Sequence, residues 1–192
     1  ERWRGEVAGG SGGRGAGTYR LRILLPEGSG KLGVRYTTAA TSFELEMVSA
    51  GGRAIVASSG KPSLEPESSA PAFRPGVAAL GPASGEIHLL LRVSNHEYRI
   101  GGPWRPIYLG RFEALARARS AGLVASLALA STLVMVSVLF AFFIRAGAAG
   151  KGFAAFSGFA LVTALRSIVT GQYGIVEIFP SISFELVVRL EY

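Results

Sequence analysis

Between Ala121 and Ile144 the chain runs for 24 residues, AGLVASLALASTLVMVSVLFAFFI, without a charge, and Arg145 closes the run. An α-helix needs about 20 apolar residues to cross about 30 Å of hydrocarbon, so this segment is long enough to span a bilayer. A buried helix of a soluble core is the competing reading, but soluble helices keep a polar face and this one has none. A second stretch, FAAFSGFALVTALRSIVT from Phe153 to Thr170, follows the small-residue loop AGAAGKG and predicts a second span, so the two form a helical hairpin. A third span is expected to begin near residue 183.

The charges divide at the same place. Up to residue 120 lie 16 of the 20 Lys and Arg and 10 of the 13 acids, whereas the last 72 residues hold four basic and three acidic side chains. A water-facing part therefore precedes a lipid-facing one. Within the apolar part Arg166, Glu185 and Arg189 are the polar candidates, and Arg166 needs an explanation because a guanidinium in hydrocarbon costs about 3 kcal/mol. It either snorkels to the interface or pairs inside the bundle, with Glu185 as one partner.

Composition removes many chemistries. There is no Cys and no Asp, one Asn and two His, which excludes thiolate zinc sites, disulfides, a Ser-His-Asp triad and a helix-loop-helix calcium site. No metal and no cofactor is expected. The net charge of +7 arises from Arg residues interleaved with Glu, without a basic run carrying aromatics, so nucleic acid is not an expected partner.

The polar part reads as β-structure. Tyr19, Leu21, Ile23 and Leu25 alternate with Arg20, Arg22 and Leu24, and the same period of two recurs in Leu32, Val34 and Tyr36, in Phe43, Leu45 and Met47 around Glu44 and Glu46, and in Ile87, Leu89, Leu91 and Val93. Ala50-Gly51-Gly52-Arg53 predicts a hairpin turn, and the Pro- and Ser-rich stretch Gly60 to Pro75 predicts a crossing from one sheet to another. Short strands with such a crossing favour a β-sandwich of jelly-roll type. The expected domains are a flexible Gly-rich lead-in over 1–17, the sandwich over 18–112, and a juxtamembrane helix with the start of a multi-span membrane domain over 113–192. No secretory signal precedes Glu1 and the chain stops within what reads as an apolar element, so an excerpt of a longer protein is expected.

Residues 10–15, Gly-Ser-Gly-Gly-Arg-Gly, fit a dinucleotide glycine pattern literally, but the sequence offers no strand before them and no helix after, and a surface loop is the simpler reading. Asn95, His96, Tyr98, Trp104 and Arg105 cluster after the last clear strand, where loops at the end of a sandwich often bind ligands and a Trp among polar groups suits a sugar face. The alternative is that Trp104 plugs the base of the sandwich and Asn95 fixes a turn. Arg74, between Phe73 and Pro75, either orients the crossing or meets an anion. His88 falls on the solvated face by strand parity.

Thr18-Tyr19-Arg20-Leu21, then Ser94-Asn95-His96, then Gly101-Gly102-Pro103-Trp104-Arg105-Pro106-Ile107 resemble bacterial seven-transmembrane receptors with diverse intracellular signalling modules. The resemblance continues at Leu165, Arg166, Thr170 and Gly171, and from Phe179-Pro180 to Arg189-Leu190-Glu191-Tyr192, where that family begins its third helix. It implies an extracytoplasmic jelly roll related to galactose-binding and other carbohydrate-binding domains, seven helices in the bacterial inner membrane, and a cytoplasmic output module outside this chain. It implies a receptor whose own outer part is not an enzyme, with membrane lipid, a carbohydrate or other small ligand and the output module as partners; homodimer formation stays open. The local charge count, Arg111, Arg117 and Arg119 before the first span against Arg145 and Lys151 after it, favours the opposite orientation, but that rule weakens for long translocated domains. The other classes are a membrane-anchored partner-binding module and a membrane-anchored glycosidase working through Glu44 and Glu46.

Overall fold

The computed structural model describes residues 4–8, 13–81, 84–147 and 150–191. The chain falls into two compact units, Glu1–Arg117 and Ala118–Tyr192.

The first unit is a sandwich of antiparallel sheets. Strands β1 (Arg4–Ala8), β2 (Gly15–Leu25), β5 (Ser42–Ser49), β6 (Gly52–Ser59) and β8 (Gly85–Asn95) form a five-stranded sheet in the order β1-β2-β8-β5-β6. Strands β3 (Leu32–Tyr36), β7 (Gly76–Ala79) and β10 (Tyr108–Arg111) form a three-stranded sheet in the order β10-β3-β7, and the short β4 (Ala39–Ala40) and β9 (Gly102–Pro103) pair with one another. The alternation in the sequence sets which face is inward. Phe43, Leu45 and Met47 from β5 and Ile87, Leu89, Leu91 and Val93 from β8 meet Val34 of β3 in one buried core, with Tyr19, Leu21 and Ile23 of β2 packed on its edge. A slip of one residue would turn each of these side chains to water, so burial itself fixes the register.

The expected hairpin joins β5 to β6, and the expected crossing carries the chain from β6 in one sheet to β7 in the other. The lead-in differs from expectation: Arg4–Ala8 is a strand that pairs antiparallel with β2, from Arg4 opposite Arg20 to Ala8 opposite Ala16. Residues 9–12 of the glycine-rich stretch lie outside the described residues. A strand does precede that stretch, but β2 and no helix comes next, whereas a dinucleotide site needs a helix N-terminus there. Strand β10 passes at once into α1 (Phe112–Arg145), whose first residue donates a hydrogen bond from Phe112 N to the carbonyl of Lys31, the residue before β3, at 3.0 Å. Gly33 of β3 permits that approach, since a Cβ there would stand 2.9 Å from both the Phe112 ring and Ala78 O.

The second unit is helical. Helix α1 has 34 residues and is about 50 Å long, so the helix formers of Glu113 to Ser120 run into the apolar stretch without a break, as the sequence predicts. Helix α2 (Lys151–Val169) packs against it through small residues: the Ser137 and Ser157 hydroxyls lie 3.0 Å apart and each donates to the other residue's carbonyl, also at 3.0 Å. Phe140 stacks on Phe153 and Phe156 with centroids 5.2 and 4.9 Å away. Both helices are long and apolar enough to cross a membrane, and only 11% and 17% of their apolar windows are buried, which is unlike a core helix of a soluble protein. Where a third span was expected to begin, near 183, the described residues form the eight-residue α4 (Phe184–Glu191), preceded by the short α3 (Gly174–Ile178), and neither is long enough to cross a membrane.

Candidate ligand-binding site

The residues singled out after the last long strand divide between a structural knot and a loop anchor. Asn95 is buried, and its amide donates to Gly13 O and Tyr98 O, both at 2.7 Å, while its Oδ1 accepts from Tyr98 N at 3.0 Å. With its amide hydrogens and its carbonyl engaged, Asn95 fixes the turn and ties it to the start of β2; it offers nothing to a ligand. Trp104 donates from its indole to Ile100 O at 3.1 Å and meets the Tyr98 ring edge-on at 6.2 Å, so both rings brace the same loop. Arg105 is exposed beside them. His96 turns away to Ser63 O, 3.0 Å from its Nε2. Arg74 is exposed at the end of the crossing, anchored through its backbone N–H to Ser59 Oγ at 3.0 Å. Asn95 and Trp104 thus brace their own loop while His96 reaches Ser63 and Arg74 is anchored to Ser59, so the candidates are divided between separate parts of the fold.

In the helical unit Glu185 is engaged by Arg189 one turn later on α4, where Arg166 had been one of its possible partners. Arg166 is exposed near the end of α2, the position from which a long side chain reaches an interface. Arg119 at the foot of the hairpin pairs instead with Glu177 of α3 at 2.5 Å.

The concavity that does form lies on the outer face of the five-stranded sheet, away from the core. Its volume is about 830 Å³, within the range of small-molecule sites. Thr18 of β2, Arg92 of β8, Glu44 of β5 and Ser58 of β6 make its floor, one from each of four neighbouring strands, and Gly60 to Leu64 of the crossing make its wall. Glu44 lies opposite Arg92 across β5 and β8, and opposite Ser58 across β5 and β6. Glu46, two residues along β5, is buried on the same face, beside a bulge where β6 carries the unpaired Val56. Arg92 joins both acids, Nη1 to Glu44 Oε1 at 3.1 Å and Nη2 to Glu46 Oε2 at 3.0 Å, with Arg53 3.9 Å from Glu46. One guanidinium thus compensates two carboxylates in a half-buried setting, where an unpaired charge would be costly. Being two residues apart on one strand and sharing that guanidinium, the acids do not face one another across a gap that a sugar ring could enter, as the acid and base of a glycosidase must.

The wall is held by buried hydroxyls. Ser94 Oγ, at the end of β8, accepts from Ser63 N at 3.1 Å and lies 2.9 Å from Ser42 Oγ and 3.0 Å from Ser69 Oγ. Ser59 Oγ donates to Ala72 O at 3.0 Å, and Lys61 pairs backbone to backbone with Ala70. Gly60 makes the sharp entry to this segment at φ +71°; a Cβ there would lie 2.1 Å from Ala70 O. The Ser-rich composition that marks a loop in the sequence thus supplies the groups that fasten it.

Further along the same face, Arg22 pairs with Glu86 at 2.6 Å, and His88 lies between Glu86 Oε1, at 3.1 Å, and the Arg20 guanidinium, at 3.2 to 3.3 Å. The hydrogen bond from Arg22 holds the Glu86 carboxyl below its ordinary value, aided by the nearby His88 and opposed by slight desolvation. Among the described residues no three acidic or histidine side chains converge as a metal ion requires.

No protein-family model matches this chain, and no curated protein is significantly similar to it. Among solved structures it is similar to a GH2 β-galacturonidase from Eisenbergiella tayi bound to glycerol, at 14% identity and a TM-score of 0.41, covering 57% of this chain and 22% of that one. A putative β-galactosidase from Bacteroides fragilis matches at 16% identity and a TM-score of 0.39, covering 54% of this chain and 16% of that one. The chain therefore spans about a fifth of the length of these proteins. Likeness at this level says nothing of substrate or activity.

Proposed function

We propose that this chain is the ligand-sensing outer domain and first membrane helices of a bacterial transmembrane receptor, with the sandwich a jelly roll outside the inner membrane and the output module on the cytoplasmic side. The observation that carries the reading is the 830 Å³ concavity, with charged groups in its floor and its wall fastened in place, on a sandwich whose last strand continues without a residue of loop into a 34-residue helix that is uncharged from Ala121 to Ile144. A pocket of that size takes a small polar molecule such as a sugar. The helix that begins at Phe112, bonded to Lys31 at the entry to β3, offers a stiff connection through which a shift of the sandwich biases the hairpin, provided the bound molecule favours one of two arrangements. The family resemblance of Ser94 to Ile107 and of Leu165 to Tyr192 agrees with this reading.

The test is hydrogen exchange on the full chain in lipid nanodiscs, with and without saturating monosaccharides. A bound sugar should slow exchange at Gly60 to Leu64 and alter it at Glu113 to Ser120. Two Gly residues inserted after Ala116 should abolish the second effect and keep the first. If no sugar or sugar acid protects Gly60 to Leu64, the sensing role fails; if the insertion leaves the helix response intact, the relay fails.

A further inference from the structure

From the charges lining the concavity we infer that its ligand is a hydroxylated monocarboxylate, a sugar acid, with Lys61 receiving the carboxylate and the Glu44–Arg92 pair receiving hydroxyls. The inference rests on the sensing role proposed above. Arg92 and Arg53 together balance Glu44 and Glu46, two positive charges against two negative, so the floor brings no net attraction for an anion, whereas Lys61 at the wall takes part in no ion pair among the described residues. A single uncompensated ammonium beside a neutralised floor matches a ligand with one negative charge. The floor matches hydroxyls. Arg92 uses two of its five N–H groups on Glu44 and Glu46, its side chain is 43% exposed, and Glu44 uses Oε1 for that contact. A remaining guanidinium N–H and Glu44 Oε2 form the adjacent donor and acceptor that a vicinal diol pairs with, and the Thr18 and Ser58 hydroxyls flank them. The lining holds no aromatic ring, so recognition does not depend on stacking against a sugar face; the rings of Tyr98 and Trp104 brace another loop.

The experiment is isothermal titration of the full chain in nanodiscs with glucuronate, galacturonate, glucose, galactose and inorganic phosphate. Wild type should bind at least one of the two acids about fivefold or more tighter than its neutral parent, and tighter than phosphate, as a partly exposed charge-assisted contact allows. Lys61→Gln should remove the preference for the acid and leave binding of the neutral sugar unchanged, whereas Lys31→Gln, elsewhere on the sandwich, should preserve the preference. Ser58→Leu, at an exposed floor position, should abolish binding of all four sugars, and a normal circular dichroism spectrum would show that it is folded. Equal binding of acid and neutral sugar by wild type, phosphate binding as tightly as the acid, or a preference that survives Lys61→Gln would each overturn the sugar-acid inference while leaving a sensing pocket. Failure of every sugar to bind would overturn the sensing role itself.

Discussion

Replacing Ser94 with Ala removes a single buried oxygen on which three contacts converge, from Ser63 N at 3.1 Å, Ser42 Oγ at 2.9 Å and Ser69 Oγ at 3.0 Å. The loss is not three full bonds. Ser42 and Ser69 lie 3.5 Å apart and can close on one another, so one of their hydroxyls keeps a partner. Ser63 N has no such substitute, and at a half-buried position its desolvation adds about 1 kcal/mol to the roughly 1 kcal/mol net worth of each lost bond. The total is about 2–3 kcal/mol, concentrated on the attachment of Gly60 to Leu64 to the sheet. Because about 1.4 kcal/mol is a factor of ten in an equilibrium, the Ser63 and Leu64 amides should exchange roughly 30- to 140-fold faster in Ser94→Ala, while amides at the centre of β8 change little. Amide exchange read by mass spectrometry distinguishes these outcomes. Unchanged exchange at Ser63, or loss of protection spread evenly over the five-stranded sheet, would refute the claim that this hydroxyl holds the wall.

Three further outcomes follow from the geometry. Asn95→Ala should strip the loop after β8 and the start of β2 of three hydrogen bonds and lower stability by about 2–4 kcal/mol, seen in urea unfolding followed by Trp fluorescence, whereas a ligand-binding Asn95 would leave unfolding unaffected. Glu86 has a depressed folded-state carboxyl pKa, so its contact with Arg22 stabilises above the ordinary value of 4.5 and is lost as pH falls below it through the folded value; Arg22→Gln should move the Glu86 titration upward in carbon-detected NMR, and an unmoved titration removes that contact as the cause. Since the chain has no cysteine, single substitutions report sidedness directly: Ser68→Cys should react with a membrane-impermeant maleimide in intact spheroplasts and Arg145→Cys only after permeabilisation, and the reverse pattern would place the sandwich in the cytoplasm.

The legible part of this fold was the part governed by period. Tyr19 to Leu25 and Ile87 to Val93 declare their inner faces residue by residue, and an uncharged run from Ala121 to Ile144 can hardly be anything but a long helix. Strand β1 was not legible because Arg4–Ala8, RGEVA, is short and its alternation of Arg4 and Glu6 with Gly5 and Val7 offers one large apolar side chain to mark a face; it is specified by pairing with β2. Asn95 could be read as a turn residue, but its second partner, Gly13, lies 82 positions away. The concavity was the least legible feature. Glu44 and Arg92 become neighbours only through the register of β5 with β8, and Lys61 joins them only because a serine on β8 catches the loop that follows it. Local sequence rules carry no information about such pairings.

The buried hydroxyls around Ser94 also set the thermodynamic character of whatever enters the concavity. A wall left loose in the free protein would have to be frozen as the guest arrived, and its lost disorder would appear as an unfavourable entropy and a slow, adaptive second phase. Here the freezing is completed when the sandwich folds. Occupation of this site should therefore begin with a rapid step that carries no wall-ordering phase, so that any slower phase reports the shift of the sandwich and not the closing of a lid.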